Sequence, residues 1–176
     1  MKWVNHIAIA GASCAVLNPV LVPVAVAGST APDWIEWILK AVGRRVAHRT
    51  VTHYVIYWLF GIAFGFLIYD FHDIIKAFSF GGLSHVFADS LTLMGVPLGW
   101  WSDRKYHLFG GRLRTGQMGE YWVTGAIVVL CIGLGFATRS FSKDASFFPF
   151  FYDWSSYYKA GEIDGYEWKE NRFKWL

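Results

Sequence analysis

The residues able to do chemistry in this 176-residue chain sit in short clusters set into apolar sequence. The clearest is His85-Val86-Phe87-Ala88-Asp89, inside the stretch from Gly81 to Gly95. Four residues apart on a helix, His85 and Asp89 share one face about one turn apart. A neutral imidazole and a carboxylate so placed can bind one divalent cation. The same pair can instead satisfy each other by a hydrogen bond inside a helix bundle. Ser90 and Thr92 extend the polar stripe. In Pro32-Asp33-Trp34-Ile35-Glu36 two acids lie three apart on one helical face, as ligands or as acids of a first helical turn. His48-Arg49-Thr50-Val51-Thr52-His53 carries two histidines five apart, which meet one ion only if a helix starts between them. His48 can equally be one more basic residue at a headgroup surface. Glu120 stands at the entry of a long apolar run, where a carboxylate can simply face water near a helix N-terminus. All six histidines precede residue 108, which confines any histidine chemistry to the first two-thirds of the chain.

Composition says what kind of scaffold must position these groups. Hydrophobic residues make up 55%, charged residues only 16%, and mean hydropathy is +0.32, too apolar for an ordinary soluble domain. Aromatics reach 19%, as expected of interfacial anchors. A net charge of +3 is too small to indicate nucleic acid. Cys14 and Cys131 each lie in an apolar run without CxxC spacing, so both are expected to be helix-packing residues rather than ligands or a redox pair.

The expected fold is an all-α, polytopic membrane helical bundle without a sheet. Asn18-Pro19 and Pro23 cut the first apolar run in two, which predicts an N-terminal helical hairpin, with one kinked span as the alternative. A helix start is expected at Pro32, a spanning helix over Tyr54–Tyr69, a polar connection over Asp70–Ser79, a helix over Gly81–Val96 and the clearest span over Glu120–Thr138. Between them, Pro97 to Gly119 forms a basic, aromatic loop on the membrane. Residues 1–139 form the membrane-embedded domain and residues 140–176 an aromatic, mixed-charge C-terminal tail that includes Phe147 to Tyr152. Basic clusters at Lys40–Arg49 and Lys105–Arg114 place those segments in the cytoplasm. That topology brings His6, Asp33, Glu36, His53 and Glu120 to one membrane face, with His85 and Asp89 deeper. Ionisable groups at membrane depth are costly and usually functional or paired.

These pieces carry a family resemblance. His6-Ile7-Ala8-Ile9-Ala10-Gly11, the Pro32-Asp33 segment, His48-Arg49-Thr50-Val51-Thr52-His53, His85-Val86-Phe87-Ala88-Asp89 with Thr92 and Gly95, and Arg114-Thr115-Gly116-Gln117-Met118-Gly119-Glu120 together resemble the YdjM-like family of inner-membrane metal-dependent hydrolases, some LexA-regulated. The match covers roughly residues 6 to 125. Glu36 stands where that family usually has Asp. In ligand order alone the chain is also similar to zinc-dependent phospholipase C and related nucleases, which are all-helical. The later histidine ligand of that pattern has no clear counterpart unless His107 serves, so one or two ions are expected rather than three.

The resemblance implies a divalent metal, zinc first, held by His6, Asp33, His53, His85 and Asp89, with Glu36 and His48 as further ligands. Arg49 would hold an anionic group by a bidentate contact, and Glu120 joins it as the second catalytic candidate. The function expected is hydrolysis of a phosphoester, such as a lipid headgroup or phosphodiester, at the cytoplasmic face of the inner membrane by a multi-pass protein. Membrane lipid and a small-molecule or lipid phosphoester are the expected partners. The alternative is a non-enzymatic membrane protein whose metal or polar network is structural and whose aromatic tail binds a protein partner. A transporter is disfavoured by few spans and no visible repeat.

Overall fold

The computed structural model describes residues 1–102, 104–138 and 158–171. Helix α1 (Trp3–Leu17) is followed by a 3-10 turn at Pro19–Leu21 and helix α2 (Val22–Ala41). A second 3-10 turn, Val51–His53, leads into α3 (Val55–Leu67), which is followed by α4 (Ile74–Ser90). After a loop come α5 (Met118–Ala137) and, in the C-terminal region, the short α6 (Gly165–Asn171). The domain division at 139/140 and the aromatic run Phe147–Tyr152 lie outside the described residues.

Three expectations change. Pro32 does not start a helix: it sits inside α2, which begins ten residues earlier with Pro23 in its first turn. The expected polar connection over Asp70–Ser79 shortens, because α4 starts at Ile74 and stops at Ser90 rather than running to Val96. Asp70 accepts from the Ile75 and Lys76 amides and so ties down the start of α4. The chain is also not wholly free of sheet. Val96–Pro97 pairs antiparallel with Lys105–Tyr106, and Thr92 bridges Leu113. These short pairings satisfy backbone groups of the Pro97–Gly119 loop that no helix serves.

The N-terminal hairpin is present and packs α1 on α2. Helix α4 sits centrally, against α2, α3 and α1, while α5 packs on α1. Small residues set the α2–α4 distance. A Cβ on Gly28 would lie 2.0 Å from the Phe78 carbonyl oxygen, and one on Gly81 would lie 2.0 Å from that of Ala25. The two backbones therefore touch, as in close-packed membrane helices. A Cβ on Gly82 would strike the Trp58 ring at 2.0 Å, which seats α3 on the same helix. Cys14 and Cys131 are free and buried, with Cys14 packed among Leu21, Ala25 and Ala77.

Direction alternates from α1 to α5. The starts of α1, α3 and α5 and the ends of α2 and α4 gather at one end of the bundle. Lys2, Lys40, Arg44, Arg45 and the cations of the 97–117 loop belong to that end. Large apolar residues cover the outside: Tyr57, Phe60 and Phe66 on α3, and Trp122, Leu130 and Phe136 on α5 are all exposed. Helix α5 is long and apolar enough to cross a membrane, and α1 and α3 are shorter apolar helices.

Candidate metal centre

Four segments deliver five polar side chains to the interior of the helix-start end. His6 comes from the first turn of α1, Asp33 from the second half of α2, His53 from the turn before α3, and His85 and Asp89 from the last two turns of α4. His6, His53, His85 and Asp89 are at most 1% exposed. The Asp33 side chain is 14% exposed and is the one member with access to the outside. His6 and His85 stack with ring centroids 3.7 Å apart, and His53 meets His85 edge-on at 5.2 Å.

The separations are those of ligands around an ion. His6 Nε2 lies 3.4 Å from Asp89 Oδ1, His85 Nε2 3.5 Å from Asp89 Oδ2, and His53 Nε2 3.5 Å from Asp33 Oδ1. His53 Nε2 to Asp89 Oδ2 is 3.9 Å and His85 Nε2 to Asp33 Oδ1 is 4.0 Å. Neighbouring ligands of a tetrahedral ion with bonds of 2.0–2.1 Å stand about 3.3–3.4 Å apart. Two overlapping ligand groups result, His6–His85–Asp89 and Asp33–His53–His85, each with its ligand atoms within 4.8 Å of one another.

Hydrogen bonding reinforces the fit. Among the described residues, the Nε2 atoms of His6, His53 and His85 are buried with no hydrogen-bond partner. Three orphaned imidazole nitrogens at one point are costly unless something else binds them. Meanwhile His85 Nδ1 lies 2.6 Å from the Ser29 carbonyl, which makes it the protonated nitrogen and leaves the Nε2 lone pair facing the centre. The close α2–α4 contact brings that carbonyl within reach. Pro32 supplies no N–H to the Gly28 carbonyl one turn back, so α2 lacks one helical hydrogen bond beside Ser29. His53 Nδ1 meets Thr52 Oγ1 at 3.0 Å. Burial pushes the His53 pKa below its ordinary value, against the pull of the Asp33 carboxylate, and the neutral form is the one that ligates.

Each carboxylate has one oxygen held by a donor and the other turned to His53 and His85, while His6 Nε2 faces the Arg49-held Oδ1 of Asp89. Trp3 Nε1 donates to Asp33 Oδ2 at 2.5 Å, leaving Oδ1 towards His53 and His85. The Trp3 indole is itself fixed by stacking on Trp37 at 5.1 Å. Arg49 Nη2 donates to Asp89 Oδ1 at 2.8 Å, where the Met1 amino group also contacts it, leaving Oδ2 towards His53 and His85. Arg49 Nη1 donates to Thr92 Oγ1 at 2.8 Å. Arg49 adopts φ 57°, a conformation rarely held by a non-glycine residue without a compensating reason. Here both its ends are tied, because its amide donates to Glu36 Oε2 at 3.4 Å.

The other candidates stand beside the centre. Asp33 and Glu36 diverge despite sharing a helical face. The Glu36 carboxylate accepts from Lys40 Nζ at 2.5 Å and lies 3.0 Å from His48 Nδ1, forming a neighbouring cluster. His107 is held against the Thr92 carbonyl at 3.2 Å and lies outside both ligand groups. Glu120 is fully buried, and its carboxylate accepts from the Lys2 amide, Asn5 Nδ2 and the Gly116 amide. It therefore locks α1, and with it His6, onto the start of α5. Trp3, Ser29 and Asn5 are participants that side-chain spacing did not reveal. Asn5 alone left a trace, as a polar residue beside His6 in an apolar helix.

A family model described as YdjM inner membrane protein matches residues 1–160. The chain belongs to that family. The match runs through every residue of the candidate centre and reaches past α5. No curated protein and no solved structure matches this member of the family.

Proposed function

We propose that this YdjM family member is a multi-pass inner-membrane hydrolase that uses one or two divalent metal ions, zinc first, to cleave a phosphoester at the cytoplasmic face. The observation that carries the proposal is the convergence of three orphaned, buried histidine Nε2 atoms with the carboxylates of Asp33 and Asp89. The mixed nitrogen and oxygen donor set suits zinc. When bound, such an ion supplies a water of lowered pKa, near 7 for zinc, and polarises a phosphoryl oxygen. Asp33 is the accessible edge of the centre, so substrate would approach beside it, past the stacked Trp3 and Trp37. Lys40 and the Arg44–Arg45 pair flank the same end and favour an anionic substrate such as a lipid headgroup or phosphodiester. Arg49 and Glu120 act by positioning, Arg49 through Asp89 and Glu120 through α1. The exposed apolar faces of α3 and α5 support more than one membrane crossing.

The almost complete burial of four of the five residues favours a second reading, a structural metal without turnover. One experiment separates the two. Purified protein is assayed for metal and then screened on phosphodiester and phospholipid substrates with and without chelator. Chelator-sensitive hydrolysis supports the enzyme. Bound metal without hydrolysis across the screen supports the structural site.

A further inference from the structure

A separate apolar cavity of about 710 Å³ lies on the other side of α4 from the histidines. Phe87 of α4, Leu91 just past its end, Leu108 and Leu113 of the following loop, and Val123 and Ile127 of α5 wall it, and Arg112 is its one charged lining residue among the described residues. Phe87 follows His85 by two positions, about 200° around the helix, so the cavity and the candidate metal centre use opposite faces. Val123 and Ile127 lie four apart on one face of α5, the helix able to cross a membrane. At the loop end the chain turns through three successive positive φ values, 49° at Phe109, 73° at Gly110 and 58° at Gly111. This turn leaves the Phe109 ring 83% exposed at the rim, a position suited to an interfacial aromatic rather than a core residue. Arg112 follows directly, exposed, six residues before α5 begins.

We propose that this cavity seats an acyl chain of an anionic phospholipid from the surrounding bilayer, with the headgroup phosphate against Arg112. Three features choose this occupant. The wall belongs in part to the spanning helix, so hydrocarbon is the medium beside it. Among the described residues the lining is otherwise apolar and contains no carboxylate, which matches an acyl chain and does not repel an anion. The one cation stands at the loop end of the cavity, beside the start of α5, where the headgroup layer lies, and its guanidinium matches phosphate oxygens. The inference rests on membrane insertion alone and is independent of metal chemistry.

The test uses the full chain purified in mild detergent, titrated with dioleoyl phosphatidylglycerol or dioleoyl phosphatidylcholine and read by native mass spectrometry. Phosphatidylglycerol should be retained in preference to phosphatidylcholine. Arg112→Gln should lower phosphatidylglycerol retention about fivefold, the weight of one cation at an anionic lipid surface, and leave phosphatidylcholine unchanged. Leu108→Trp and Val123→Trp each fill the cavity from a different wall and should lose both lipids while keeping wild-type metal content and helicity. Equal retention of the two lipids by the wild-type protein, or undiminished retention in both tryptophan variants, would overturn the proposal.

Discussion

Trp3→Phe isolates one hydrogen bond at the edge of the proposed metal centre. The substitution removes the indole N–H that holds Asp33 Oδ2 at 2.5 Å and keeps a ring to stack on Trp37. A hydrogen bond to a charged group contributes about 1.5–3 kcal/mol. Trp3 is 39% exposed, so solvent competes and brings the contribution to the bottom of that range or just below it, about 1–2 kcal/mol. Freed, Asp33 can rotate its Oδ1 away from His53 and His85, and the cost falls on metal binding. At about 1.4 kcal/mol per tenfold, zinc affinity should weaken roughly 5- to 30-fold, overlapping the range known for partners that orient metal ligands. Competition between the purified protein and a zinc-chelating dye measures this directly. The metal-free protein should lose less stability than the metal-bound one, because without metal the freed carboxylate can turn to water and the stack and the helix remain. Wild-type affinity in Trp3→Phe would refute the reasoning. So would an equal loss of stability in the metal-free protein, which would make Trp3 a packing residue only.

Other expectations follow from the same contacts. Glu120→Gln replaces an acceptor oxygen by an amide that faces donors, so stability should fall by about 2–3 kcal/mol, read as a lower thermal midpoint. Changing Cys14 and Cys131 together to Ala should leave metal content intact, since both are free packing residues. In the metal-free protein, His53 is held below its ordinary value near 6.5, so the unfolded chain binds more protons than the folded one just below that pH. Stability should therefore fall as pH drops from about 7.5 to about 5.5, and His53→Gln should lessen that dependence in thermal melts.

Much of the centre was legible because polar residues in apolar helices are conspicuous. His85 and Asp89 stood out by type and by their four-residue spacing, and the alternating topology brought His6, Asp33 and His53 to the same end. Spacing could not tell Asp33 from Glu36. They share a helical face, and only tertiary contacts send Asp33 to the histidines and Glu36 to His48 and Lys40. Arg49 suggested an anion contact from its type, yet its guanidinium is spent on Asp89 and Thr92. The Ser29 carbonyl that orients His85 left no trace, because a backbone group carries no signature in residue types. Pro32 misled for a related reason. Its local preference for a helix start is overridden by the tight contact of Gly28 and Gly81, which keeps α2 continuous against α4. The two strand pairings were hidden because one or two paired residues are too few to show any alternation.

The central claim is that five side chains hold metal together, and metal analysis coupled to X-ray absorption on the purified chain tests it most directly. Protein expressed with zinc supplied should carry one or two ions per chain, with nitrogen and oxygen ligands at about 2.0–2.2 Å and imidazole among them. His85→Ala should lose most of that metal, since His85 belongs to both ligand groups. A metal-free wild-type protein, or a His85→Ala protein that keeps full stoichiometry, would contradict the account.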